Sequence, residues 1–249
     1  MGNLEKNMNN LSTNPTFDKP IKEYAIQLID KYIQILQQMG HTNVIGSNSD
    51  YEIIKNQIDE KCAQRLISHL KPAVTTISNL EFEQAIDLYD QKESFYLKRF
   101  LFLYKLHTDY NLNEILDETD VIEIYDANHI QMYRSFNFFQ YCSYSFEEIF
   151  TNEWWRLFQR SVFVTNKLVE VGVNTVKRQL KEIQYVNCPN HWVDEIYSKH
   201  NFGCYVRQII IVPLLNEKNI VTAVMTPFSV LKYRDQHGQI FDVKKTALH

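Results

Sequence analysis

Apolar residues recur at three- and four-residue steps in the first 110 positions of the chain. One such run lies within residues 20–40, a second within 53–70, and a third begins at Ser78, which has capping-box spacing from a glutamate. This spacing places apolar side chains on one face of an α-helix, so it predicts three helices. Because proline lacks a backbone N–H, Pro72 is expected to break or kink the second helix. Residues 20–112 are therefore expected to form an antiparallel helical unit.

Strand patterns dominate the second half of the chain. Residues 121–126 and 130–135 have strand character and are separated by a short turn, which predicts a β-hairpin. Helical stretches follow, the longest over 152–180. Residues 203–215 and 220–233 are apolar and β-branched, and a polar turn separates them. This order predicts an α+β fold in which helices cover one face of an antiparallel sheet.

Composition narrows the class of protein. The chain of 249 residues has 26 Lys+Arg against 30 Asp+Glu, for a net charge of −4, so it has no basic footprint and nucleic acid is an unlikely partner. It has no apolar run of about 18 residues, so no membrane contact is expected. Four scattered cysteines fit reduced thiols and a cytoplasmic location. One stretch is basic, and we interpret its side chains as a solvated helix face: Arg156, Arg160, Lys167, Lys177, Arg178 and Lys181.

Local signals between the two hairpins predict a cap and an anchor. Ser143 or Ser145 is expected to cap a short helix with acidic residues in its first turn, where they favour the helix dipole. Trp154 and Trp155 are both large and apolar, so at least one should anchor a helix to the sheet.

The stretch SFNFFQYCSYSFEEIFTNEWWRLF carries a family resemblance. It contains Phe138, then the run from Tyr144 to Ile149 (YSFEEI), then Trp154 or Trp155, and it resembles the PAS domain pattern of Phe, Tyr-Ser-x-Glu-Glu-Leu and Trp. The closing segment IIIVPLLNEKNIVTAVMTPFSVLKYRD is similar to the last hairpin of that family.

The resemblance covers residues 113–237 and implies a PAS-like, five-stranded antiparallel sheet with helices on one face. It suggests a division into a flexible arm (1–19), a helical domain (20–112), the PAS-like domain (113–237) and a C-terminal tail (238–249). Such a fold holds a small cavity between sheet and helices, or fills that space with side chains.

A PAS-like domain implies a sensory or regulatory protein that is not an enzyme, with output through a protein partner or homodimer. The expected ligand is small and apolar or planar. Its candidate lining residues are Phe138, Tyr141, Cys142, Trp155, Phe158, Val162, Phe163, Leu168, Tyr205, Ile209 and Met225. The alternatives are a ligand-free interaction or dimerisation protein with a solid core and, less favoured, a transcriptional regulator.

No cofactor is identified by the sequence. Haem-binding members of the family use a histidine on the long helix, and residues 150–180 contain none; the context of Cys142 is not that of flavin photosensors. Two Cys and two His could form a structural zinc site, but chance proximity in sequence is the favoured explanation: Cys188, His191, His200 and Cys204. The acidic residues at 117, 118 and 120 are expected to form a solvated loop.

Overall fold

The computed structural model describes residues 15–38, 41, 43–78, 93–117, 119–196 and 202–243. The described helices are α1 (Pro15–Gln38), α2 (Glu60–Ser78), α3 (Glu93–Leu103), α4 (Leu112–Ile115), α5 (Phe146–Thr151), α6 (Trp154–Leu157) and α7 (Val162–Lys177). A π-helical turn spans Ile53–Gln57 and a 3₁₀ turn spans Phe136–Gln140. The strands are β1 (Leu106–His107), β2 (Val121–Asp126), β3 (Gln131–Arg134), β4 (Phe158–Gln159), β5 (Gln184–Tyr185), β6 (His191–Glu195), β7 (Gly203–Arg207), β8 (Ile210–Asn216), β9 (Val221–Arg234) and β10 (Ile240–Asp242).

The N-terminal helices differ from the sequence prediction at their ends. α1 begins at Pro15, within the stretch expected to be a flexible arm, and the first fourteen residues lie outside the described part of the chain. Ser78 is the last residue of α2, and the segment after it, where the third helix was predicted to begin, lies outside the described residues. The apolar stripes of α1 and α2 pack together around Ile29, Leu36 and Leu66.

Pro72, which was expected to break or kink α2, does not break it, since the helix runs from Glu60 to Ser78. A proline leaves the carbonyl four residues earlier, here that of Ser68, without its helical donor. The hydroxyl of Tyr104, which follows α3, donates to the Ser68 carbonyl at 3.0 Å and also to that of His69. The helix continues because a side chain from a neighbouring element replaces the missing N–H.

All strands are paired antiparallel, and the fold is α+β. The described part of the sheet has ten strands where five were expected, and the fourteen-residue β9 is at its centre. One edge of β9 pairs with β2 and then β10, and the other edge pairs with β8 and then β7. Both predicted hairpins are confirmed: β2 pairs with β3, and β7 and β8 together run antiparallel to β9.

The remaining strands lie at the margins of the sheet. β6 pairs with β7 and carries β4 on its outer side, while β1 and β5 pair with β8. β10 pairs with β9 in the region assigned to a C-terminal tail, so residues 240–242 of that tail belong to the sheet. Most of these added strands have two or three residues, too short for alternation to reveal them in the sequence.

Helices cover both faces of the sheet, whereas one covered face was expected. Ile122 and Ile124 of β2 pack with Phe100 of α3 on one face. Tyr125 of the same strand packs with Leu168 of α7 on the other. The strand is buried along both faces because successive side chains point in opposite directions and both sets are covered.

The long helix expected over 152–180 is interrupted. α6 ends at Leu157, β4 follows, and α7 begins after its cap Ser161, whose hydroxyl accepts from the N–H of Val164 at 3.3 Å. The interruption turns the chain so that Arg160 points toward the sheet. Trp154, on α6, is buried with Tyr125, which confirms a tryptophan anchor between helix and sheet.

The predicted cap of α5 is confirmed and also connects the two halves of the chain. Ser145 and Glu148 form a reciprocal capping box. Glu147, which lies within this capping box, is fully buried. Its carboxylate accepts from the N–H of Ile54 at 2.9 Å and from the hydroxyl of Ser47. The core cluster of α1 and α2 continues into Phe146. Packing is therefore continuous across residue 112, where the sequence suggested a domain boundary.

Among the described segments, no helix is both long enough and apolar enough to cross a bilayer.

Candidate functional site

A charged cluster is buried on the α7-facing side of the sheet. Glu123 on β2 lies directly opposite Arg134 on β3, and Arg134 Nη2 donates to Glu123 Oε1 at 2.7 Å. Gln131 donates to the same oxygen at 3.1 Å, and the hydroxyl of Tyr125 donates to Oε2 at 2.8 Å. The Arg134 guanidinium also lies 4.1 Å from the centroid of the Phe138 ring. Glu123 thus accepts hydrogen bonds from one cation and two neutral donors.

A second buried arginine lies beside this ion pair. Arg160 is half-buried as a residue, but its Nε and Nη1 are shielded from solvent and have no hydrogen-bond partner among the described residues. Its guanidinium carbon is 4.8 Å from the centroid of the Trp154 ring, a cation–π contact. Burial lowers the pKa of Arg160, yet an arginine remains charged in a protein.

Two cavities flank the charged cluster, and both are lined by Glu123 and Arg160. The larger, between the sheet and α7, has a volume of about 30 Å³, room for roughly two water molecules. It is lined also by Tyr125, His129, Trp154, Leu168, Gly172, Gln208, Ile211, Val224 and Thr226. The smaller has a volume of about 10 Å³ and is bordered by β6 and β7. The site therefore combines an aromatic wall with a buried positive charge.

Some of the predicted lining residues do lie at these cavities. Leu168 lines the larger one, and Phe138, Tyr141 and Phe158 line the smaller one. Cys142 is buried nearby, with its sulfur 3.3 Å from Arg134 Nη1. Burial raises the pKa of its thiol to about 12, so it is held as the neutral thiol.

The other predicted lining residues are elsewhere. Trp155 contacts His129, with ring centroids 5.0 Å apart, but does not border the larger cavity. Tyr205 packs on Trp192 on the opposite face of β7, and Met225 lies in the α3-side core. Three further residues are largely exposed and line neither cavity: Val162, Phe163 and Ile209. Apolar character alone did not distinguish a cavity wall from the reverse face or from the surface.

Sequence reasoning missed the charged residues of the site. Arg160 was interpreted as part of a solvated helix face, because the predicted long helix concealed the turn at β4. A usable signal existed for the ion pair. Glu123 lies between Ile122 and Ile124, and Arg134 follows Met132 and Tyr133, in strands on either side of a predicted hairpin turn, which indicates buried and paired groups.

The zinc and acidic-loop candidates can be placed in part. Cys188 Sγ contacts the carbonyl of Gln208 at 3.7 Å, while Cys204 Sγ contacts that of Tyr141 at 3.8 Å in a different core cluster. His200 lies outside the described residues. Within the described residues, no three His, Cys, Asp or Glu side chains are grouped as metal ligands.

Of the predicted acidic loop, Asp120 is buried. Its Oδ2 accepts from the N–H of Asp117 at 3.0 Å and its Oδ1 from the hydroxyl of Ser229 at 2.7 Å. One carboxylate oxygen therefore bonds within the loop, and the other bonds to β9. The neighbouring residue 118 lies outside the described residues.

Comparison with known proteins adds no relative. No protein-family model matches the chain, and a search of curated proteins finds no match. The function is therefore argued from the site alone.

Proposed function

We propose that this chain is a sensory or regulatory protein with a PAS-like C-terminal domain that binds a small ligand and signals through a protein partner. The observation that carries the proposal is the cavity between the sheet and α7. Aromatic and polar groups line it, and its walls come from three strands and two helices together with the loops beside them. Two hairpins joined through the β2–β9 pairing, with short helices on the cavity side, are consistent with the PAS-like resemblance.

The size and lining of the cavity refine the expected ligand. A volume of about 30 Å³ is too small for an aromatic ring system, and the wall includes Glu123, Gln208 and Arg160. A ligand that fits without rearrangement has only a few heavy atoms, or inserts one small group. It changes signalling only if it binds two conformations of the domain with different affinities.

A ligand-free interaction protein is the second candidate. It is favoured by the packing of Phe138, Cys142 and Phe158 in one buried hydrophobic cluster, since the resemblance implied either a small cavity or a space filled with side chains.

Ligand binding can be tested with a residue that borders the cavity on α7. A Cβ at Gly172 would lie 3.6 Å from His129 Cε1, so small substitutions fit and larger ones fill the space. We expect Gly172→Met to abolish ligand-induced thermal stabilisation of the full chain. Asn166→Met, on the exposed face of the same helix, introduces the same side chain and should leave it intact.

The probes are acetamide and acetate, and native mass spectrometry checks for a retained compound. A saturable rise in melting temperature with any probe, lost in Gly172→Met and kept in Asn166→Met, supports the proposal. No retained mass and no shift with any probe would overturn it in favour of the ligand-free candidate. Circular dichroism verifies folding, and Gly172→Val replaces the methionine variant if that variant is unfolded.

A further inference from the structure

Arg160 has two buried N–H groups, at Nε and Nη1, that no neighbouring carboxylate accepts from among the described residues. The charged and ionisable groups with which it interacts most strongly are Tyr125, Glu123, Cys188 and Arg134. Glu123 already accepts hydrogen bonds from Arg134, Gln131 and Tyr125, on both of its oxygens. Both oxygens of this carboxylate are therefore occupied by groups other than Arg160.

The other carboxylate at the cavities is also engaged. Glu195 lines the smaller cavity, where its Oε1 accepts from the N–H of Ser143 at 2.6 Å and its Oε2 from the Ser143 hydroxyl. His129, which lines the larger cavity, has its pKa lowered by burial and so adds no positive charge near neutral pH. Both carboxylates are therefore bonded to other groups, while Arg160 Nε and Nη1 are unbonded among the described residues.

Buried N–H groups of a cation that have no hydrogen-bond partner are costly, because they lose their hydration and gain no compensating acceptor. The ring of Trp154 compensates only in part. Planar carboxylates match the fork of a guanidinium, which makes two parallel hydrogen bonds to them. The adjacent cavity has space for a group of that size and includes the amide of Gln208 in its wall.

We propose that Arg160 binds the carboxylate of a small organic acid within the larger cavity. This inference rests on the proposed ligand-binding function and names the chemical class of its ligand. The carboxylate would lie against the guanidinium, and the aromatic and aliphatic wall would contact the rest of a short acid.

The test compares acetate with acetamide, which has the same shape and no charge, in a chloride-free buffer at constant ionic strength. Isothermal titration and thermal shift are measured on the full chain, with nitrate and chloride as inorganic anions. We expect acetate to bind and acetamide not to bind. Arg160→Met should weaken acetate at least about tenfold, since it removes charge-assisted hydrogen bonds. Arg156→Gln, an exposed arginine four residues earlier, is the matched control and should bind as the parent does.

The outcomes separate this inference from the proposed function. Equal binding of acetate and acetamide, or undiminished acetate binding in Arg160→Met, would overturn the carboxylate assignment. Binding of nitrate and chloride in preference to acetate would also overturn it, in favour of an inorganic anion site. If acetamide binds and acetate does not, and Gly172→Met abolishes that binding, the ligand-binding function is supported and the carboxylate assignment is overturned. If Arg160→Met does not fold, Arg160→Lys, which keeps the charge, replaces it in the test. We expect Arg160→Lys to bind acetate more weakly than the parent does.

Discussion

At the scale of single residues, the charged cluster shows why a buried ion needs a partner of opposite charge. Glu123 and Arg134 have side-chain exposures of 6% and 3%, so neither can recover hydration if its partner is removed. A broken buried pair leaves an uncompensated charge, whereas replacing both members by apolar groups removes the problem. The pair is thus a constraint on the core more than a source of stability.

Because a lone buried charge is costly, replacing one member of the pair should lower the free energy of unfolding more than replacing both. Arg134→Met should lower the free energy of unfolding by about 3–5 kcal/mol, and Glu123→Leu combined with Arg134→Met should recover much of that loss. Urea denaturation of the three proteins measures it.

The exposed pair Arg156–Glu153 provides the matched control. Its nitrogen–oxygen distance is 2.9 Å and the arginine side chain is 65% exposed, so Arg156→Met should cost less than about 1 kcal/mol. Equal losses in the two methionine variants would contradict the argument from burial.

At the scale of elements, helices and strands end where their backbone groups find other partners. α5 begins with a capping box and α7 begins with a serine cap, both as local sequence rules require. α2 departs from those rules, since it passes through a proline. It does so because Tyr104 supplies a donor from outside the helix.

Substitution of Tyr104 and Pro72 together tests this explanation. Tyr104→Phe should destabilise the parent by about 1 kcal/mol, because the Ser68 carbonyl loses its donor. In a Pro72→Ala background the restored N–H can reach that carbonyl, so Tyr104→Phe should cost clearly less. Chemical denaturation of the four proteins gives the coupling energy. Additive effects would show that the hydroxyl does not compensate for the proline.

At the scale of the whole molecule, the N-terminal helices and the sheet share their hydrophobic cores. Phe100 of α3 is fully buried, and its ring centroid is 4.8 Å from that of Tyr133 on β3. Shared cores couple the unfolding of the elements that contribute to them. We therefore expect residues 20–112 and the sheet to unfold together.

Two optical signals can check this coupling. All three tryptophans lie between residues 154 and 192, so their fluorescence reports on the C-terminal part, while circular dichroism at 222 nm also reports the helices of the N-terminal part. The two melting curves should coincide. Phe100→Ala should lower both midpoints, at a cost of about 3–5 kcal/mol.

Phe102→Ala is the control on the same helix. That ring is 78% exposed, and its removal should change stability by less than about 0.5 kcal/mol. Separate transitions, or a Phe100→Ala effect confined to the dichroism signal, would show that the two parts are independent.

Several features could be predicted from the sequence because their causes are local. The two hairpins, the cap at Ser145 and the tryptophan anchor follow from alternation, capping chemistry and side-chain size. The α+β class follows from the order of such elements along the chain. These rules involve residues a few positions apart, so a single sequence contains the information they need.

Only the tertiary structure decided the rest, because the deciding partners are distant in sequence. Tyr104 lets α2 pass through Pro72, and α3 covers the sheet face that the order of elements left open. The break before α7 turns Arg160 from an expected surface charge into a buried cation beside Glu123. A side chain's charge is set by its own chemistry, but whether that charge meets water, a counter-ion or a cavity depends on which chain segments pack against it.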